Sequence, residues 1–126
     1  MSSLLQEISA CATGPAIPAS NGGLEMEFVF PSTFSAFNGH FPNSPIVPGM
    51  VQIMAAILTV SAGRSLQLVK VSRSKFTRIV TPDEPLKVVA TSVEKAGRIQ
   101  VSAQLSCNDE AAASLTLFLE PTEKAQ

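Results

Sequence analysis

His40 is the only histidine in the 126-residue chain, and it lies in the stretch Phe37-Asn38-Gly39-His40-Phe41-Pro42-Asn43-Ser44-Pro45-Ile46-Val47-Pro48-Gly49-Met50. Imidazole is the side chain that most readily takes and returns a proton near neutral pH. Pro42, Pro45 and Pro48 fix φ and remove N–H donors, so neither a helix nor a central strand runs through the segment. The spacing predicts a rigid loop that ends at a helix opened by Pro48-Gly49. A helix start offers unpaired backbone N–H groups and a partial positive charge. A histidine held before such a terminus is an acid/base group beside an oxyanion or carbonyl site. The plainer alternative is that His40 caps a turn or fills a pocket rim, since turns gather polar residues.

The elements that must position this pair follow from periodicity. Met50, Val51, Ile53, Met54, Ala55, Ala56, Ile57, Leu58, Val60 and Ala62 make the helix after Pro48 apolar on nearly every side, and Gly63 is its expected stop. Ser2 or Ser3 caps a short helix over Leu4 to Ala10. Residues 13–23 read as a loop of Gly, Pro, Ser and Asn. Leu24 to Phe30 alternates as a strand, and Pro31 ends it. From Leu66 the pattern is strand-like again, through Val71 and Phe76 to Ile79-Val80. Three more strands follow: Leu86 to Glu94, Ile99 to Cys107, and Ala113 to Leu119. Turns at 81–85, 95–98 and 108–110 separate them, and 121–126 is a polar tail. Short connections favour antiparallel neighbours. An all-round apolar helix needs cover on most of its surface, so the expected class is α+β, a curved antiparallel sheet wrapped around one central helix and paired with a second copy.

Length sets a single domain over 1–126. Hydrophobic residues make up 45% and charged residues only 15%, which implies extensive burial, including at a subunit interface. Cys11 and Cys107 match no metal or redox spacing and read as free thiols, with Cys107 in the core; no metal site and no cofactor are expected. No signal peptide is read at the N-terminus, and the central helix, at about 21 Å, is too short to cross a bilayer. The chain is read as soluble and cytoplasmic. Charge is uneven: no Asp or Glu occurs from Phe28 through Pro82, while Arg64, Lys70, Arg73, Lys75 and Arg78 all fall there. Such a basic strip can steer an acidic protein or a phosphate group, or be only a solvated strand face. Nucleic-acid binding is not expected, because no motif or aromatic stacking set accompanies the charge.

The motif Gly39-His40-Phe41-Pro42-x-x-Pro45-x-x-Pro48-Gly49 strongly resembles that of the hot-dog-fold 3-hydroxyacyl-[acyl carrier protein] dehydratases of fatty-acid synthesis, with seven positions in fixed register. Lys75-Phe76-x-Arg78-x-Val80-x-Pro82-Asp83 resembles that family's strand and turn after the helix, and the likeness extends over about Leu5 to Leu119. It implies a hot-dog fold, His40 as general base at C2 of the substrate, and the Gly49 N–H polarising the thioester carbonyl. It also implies a carboxylate on the helix, contributed across a dimer, that handles the 3-hydroxyl. Partners implied are an acyl-carrier-protein or CoA thioester and a homodimer or higher homo-oligomer.

One position departs from the pattern. Where the family has its carboxylate, six residues after Pro48, this chain has Met54, and one turn on stands Leu58. The two share a helix face and make an apolar wall that suits an acyl chain better than a hydroxyl. Gln52 points about 200° away from Met54 at roughly 100° per residue, so it is no substitute. No Asp or Glu lies on this helix; the nearest are Glu27 and Asp83. Phe41, Pro48, Met54 and Leu58 are the candidate substrate-binding residues, with a core role as the alternative for Phe41 and Phe37. Two functions stay open. One is a dehydratase-like enzyme with an unconventional acid or a water. The other is a non-catalytic module or partner subunit that binds acyl thioesters. A thioesterase is disfavoured, since no water-activating carboxylate is placed.

Overall fold

The computed structural model describes residues 3–37, 45–61 and 64–122. The elements in order are α1 (Leu4–Ala10), β1 (Ile17–Pro18), β2 (Leu24–Val29), a 3₁₀ turn (Ser35–Phe37), α2 (Gly49–Ser61), β3 (Leu66–Phe76), β4 (Pro85–Lys95), β5 (Arg98–Cys107) and β6 (Glu110–Pro121). The strands form one antiparallel sheet in the order β1-β2-β4-β5-β6-β3. This is the curved sheet on a central helix that defines the hot-dog fold.

Local chemistry explains the elements. Ser3 caps α1 in a reciprocal capping box: its hydroxyl accepts from the Gln6 N–H, and the Gln6 side chain accepts from the Ser3 N–H. β4 meets β5 and β5 meets β6 through two-residue turns. Ala96 and Gly97 both have positive φ, as do Asn108 and Asp109. Two left-handed residues in succession suit the twist of a hairpin. Along β5 every second side chain is buried: Ile99, Val101, Ala103, Leu105 and Cys107.

The core lies between the inner sheet face and α2, where Val51, Ile53, Ala55, Ala56 and Ile57 meet Val88, Ala90, Val101 and Leu117 in one buried cluster. The helix carries two buried hydroxyls, and both are satisfied within it: Thr59 donates to the Ala55 carbonyl at 2.8 Å and Ser61 to that of Ile57 at 2.6 Å. No helix among the described residues is long and apolar enough to cross a membrane.

Two readings of the sequence need correction. The loop expected over 13–23 contains β1, a two-residue strand that pairs with Leu24 and Glu25. The strand expected to run on to Ile79-Val80 stops at Phe76, and Ile79 is exposed. The helix stop expected at Gly63 lies outside the described residues.

Candidate active site

The approach to the predicted site is a ladder of rings. Phe28 on β2 and Phe30 just after it stack at 6.1 Å, Phe34 follows at 4.9 Å, and Phe37 meets Phe34 edge-on at 5.7 Å. Phe37 is buried, in agreement with a core role. Its turn is tied to α1, because the Ser35 hydroxyl donates to the Glu7 carboxylate. His40 and Phe41 lie outside the described residues.

The chain is pinned again at Val47, whose N–H donates to the Val80 carbonyl at 2.7 Å. Pro48 then serves as the cap: its carbonyl accepts from Val51 at 3.1 Å and Gln52 at 3.2 Å. Gly49 opens α2 as the motif predicts. No acceptor among the described residues engages the N–H of Gly49 or Met50. A Cβ at residue 49 would lie 2.9 Å from Cζ of Phe76, so a side chain there collides with the ring. The last residue of β3 thus crowds the helix start, beside an amide that no described residue engages.

Met50, Met54 and Leu58 fall at four-residue intervals on one side of α2. Met50 is 54% exposed, whereas Met54 and Leu58 are half-buried against the core. Leu58 borders a groove of about 720 Å³ at the far end of the helix, together with Leu5, Leu24, Met26, Ile57 and Leu66. Met54 is not on its wall. The two residues share a stripe of α2, and of the two Leu58 borders this groove.

Gln52 is a residue that sequence reasoning set aside. It is 3% exposed, and its Nε2 donates to the Val47 carbonyl at 3.3 Å. Its Oε1 is buried with no donor among the described residues. An unmatched buried acceptor costs about 1–3 kcal/mol. The side chain points away from Met54, as helical geometry predicted, and braces the Val47-Pro48-Gly49 junction.

Of the carboxylates in the turn before β4, Glu84 is engaged. Glu84 takes a two-pronged contact from Arg78 at 3.0 and 3.2 Å, and also accepts from the Thr81 N–H and hydroxyl. The Arg78 guanidinium, with Thr81, holds the Glu84 carboxyl down to about 2. Arg78 also reaches Glu110 at 3.1 Å, and these carboxylates push its pKa up. A carboxyl so acidic is no proton donor near neutral pH. Asp83 is exposed at φ 69°, and Glu27 lies on the outer sheet face beside Thr13.

The β3–β6 register places the basic residues. Leu68, Val71, Ser74 and Phe76 stand opposite the inward Leu119, Leu117, Leu115 and Ala113. Lys70, Arg73 and Lys75 stand opposite Phe118, Thr116 and Ser114, on the outer face. They therefore point away from the face that carries α2.

Residues 17–116 match the family described as ApeI-like, ApeI dehydratase. The chain belongs to the ApeI-like dehydratase family. Its relatives include 3-hydroxyacyl-[acyl-carrier-protein] dehydratases. That of Psychrobacter arcticus is 30% identical over 135 aligned positions, covering 96% of this chain and 87% of the relative. That of Lactiplantibacillus plantarum is 32% identical over 93 residues, covering 66% of this chain and 63% of the relative, just under two thirds of its length. Among solved structures, the dehydratase heterocomplex ApeI:P from Xenorhabdus doucetiae superposes with a TM-score of 0.69 at 21% identity, over 86% of this chain and 96% of that one. A hypothetical thioesterase with coenzyme A from Streptococcus pneumoniae gives 0.66 at 10% identity, over 98% and 97%. At these identities the two structures speak for the fold alone. The chain is thus a member of a hot-dog dehydratase family, as the motif implied.

Proposed function

We propose that the chain works on 3-hydroxyacyl thioesters, borne on acyl carrier protein or CoA, as the base-bearing half of a dehydratase site. His40 takes the C2 proton. Negative charge then develops on the thioester oxygen, where the Gly49 N–H and the positive end of α2 receive it. The C2–C3 double bond forms as the C3–O bond breaks, and the departing hydroxide collects a proton to leave as water. Phe41 and Pro48 bound the reacting end of the substrate, while Met54 and Leu58 face its acyl chain. The observation that carries the reading is the Gly49 amide, which no described residue engages, at the start of an apolar helix in a chain whose relatives are dehydratases.

The proton for the hydroxide does not come from α2, which has no carboxylate. It comes from a second chain packed against the site, or from water. The test is hydration of a crotonyl thioester, followed as loss of the conjugated thioester absorbance, with His40→Ala alongside. Turnover that His40→Ala abolishes supports the assignment; turnover untouched by that change overturns it.

A second reading rests on Met54. A half-buried thioether where the family places its acid suits a subunit that binds acyl thioesters without converting them. Micromolar binding of a non-hydrolysable acyl-thioester analogue without any turnover would favour it.

A further inference from the structure

We infer that Arg78 is a positioning residue for the proposed reaction: its guanidinium clamps the segment 76–80, which holds the start of α2 at two points and so aims the Gly49 N–H. The inference rests on the reading of Gly49 as the amide that meets the thioester oxygen.

Beyond Phe76 the sheet no longer sets the path of the chain. The N–H groups of Thr77 and Arg78 share one carbonyl, that of Ala112, at 2.8 and 3.3 Å. Yet both ends of this short run meet the helix start. At one end the Phe76 ring fills the space of a side chain on residue 49, with Cζ 2.9 Å from an ideal Cβ. At the other, the Val80 carbonyl accepts from the Val47 N–H at 2.7 Å. Gln52 donates to the Val47 carbonyl at 3.3 Å, so both backbone polar groups of Val47 are held. Only Pro48, with its φ fixed by the ring, separates Val47 from Gly49. A displacement of Val80 is therefore passed on to the Gly49 amide.

Arg78 stands midway between the two contacts, and every nitrogen of its fork is used. Nη1 and Nη2 donate to the two oxygens of Glu84 at 3.2 and 3.0 Å, and Nε donates to Glu110 at 3.1 Å. Nη1 also donates to the Ile79 carbonyl at 3.0 Å, which ties the side chain to the backbone beside Val80. Glu84 in turn accepts from the Thr81 N–H at 2.9 Å, from its hydroxyl at 2.8 Å and from Asn108 at 3.3 Å. One guanidinium thus joins the residues before Val80 to the turn after it and to the first residue of β6. The Arg78 and Glu84 side chains are only 22% and 24% exposed, so solvent weakens this pair less than one on the open surface. A lysine would bring the charge without the planar fork that spans these acceptors.

The test compares Arg78→Lys and Arg78→Ala with the wild type, well below their thermal midpoints, by crotonyl-thioester hydration and by amide hydrogen exchange. If Arg78→Ala does not fold, Arg78→Lys carries the test alone. In either variant kcat should fall by about tenfold with KM nearly unchanged, because a misaimed amide weakens the transition state and not the apolar binding surface. Exchange at the Val47 amide should speed by about tenfold more than exchange along β5. A role in stability alone would speed both together and leave kcat of the folded protein intact. Absence of turnover in the wild type would count against the reaction, not against the clamp, and the exchange comparison then decides alone. Unchanged kcat in an active chain, or Val47 exchange that moves only in step with β5, would overturn the inference.

Discussion

The ring of Phe76 occupies the space that a side chain on residue 49 would need: Cζ lies 2.9 Å, and Cε2 3.2 Å, from an ideal Cβ on Gly49. The strand end and the helix start are thus fitted to one another. Gly49→Ala should preserve the fold, because the half-exposed ring can give way. It should lower turnover by about 10²-fold if the amide shifts by near an ångström. Restoring room with Gly49→Ala/Phe76→Leu should recover most of that loss in the crotonyl-thioester assay. A double variant as slow as the single would assign glycine another role.

Met54→Glu puts a carboxyl where the family has its acid. The site is only half-buried, so the group can ionise and cost little stability. Since a general acid contributes about 10²–10⁴-fold, dehydration of a 3-hydroxyacyl thioester should rise well above the unmodified chain's rate. A folded but inert variant would shift weight to the binding-module reading.

Gln52→Leu removes the hydrogen bond to Val47 and, at the same stroke, the buried acceptor that lacks a donor. The two effects offset, so the thermal midpoint should stay within about 4–8 °C of the parent, the span of roughly 1 kcal/mol. Turnover should fall more than stability, because the junction that aims Gly49 loses its brace. Equal losses in both would mark Gln52 as a packing residue only.

Acid should loosen the fold through Glu84. Its carboxyl is lowered from 4.5 to about 2, first by the hydrogen bonds from Arg78 and then by those from Thr81. A group depressed in the folded state stabilises fully above its unfolded value and loses that contribution as pH falls through its folded one. Urea midpoints should therefore drop between about pH 4.5 and pH 2, and Glu84→Gln should flatten part of that slope. An unchanged slope would show that other carboxylates govern it.

Much of this was legible in advance, for physical reasons that differ by element. β5 announced itself because one face is buried and the other wet, which writes a strict alternation into the sequence. α2 announced itself by being apolar all round after Pro48. β3 was harder, since shifts near Val69 and Ser72 break its alternation and most of the strand is exposed on both faces. β1 is too short to have a period. The direction of Gln52 followed from helical geometry, but its bracing role did not, because nothing local tells that the Val47 carbonyl will accept from its amide. The Arg78 cluster joins residues 6 and 32 positions apart, a proximity that only the closed sheet creates.

The strand order also sets a timetable. β3 has one neighbour in the sheet, and that neighbour is β6, made more than thirty residues later. The segment 66–76 therefore leaves the exit tunnel, with its apolar side chains, while β6 is still inside and there is no strand for it to join. Its lysines and arginine then serve as a temporary guard, repelling the same segment on neighbouring nascent chains of a polysome. The emergence of β6 gives β3 its neighbour, so a pause in translation while β6 is still in the tunnel should lengthen the interval in which chaperones can bind β3.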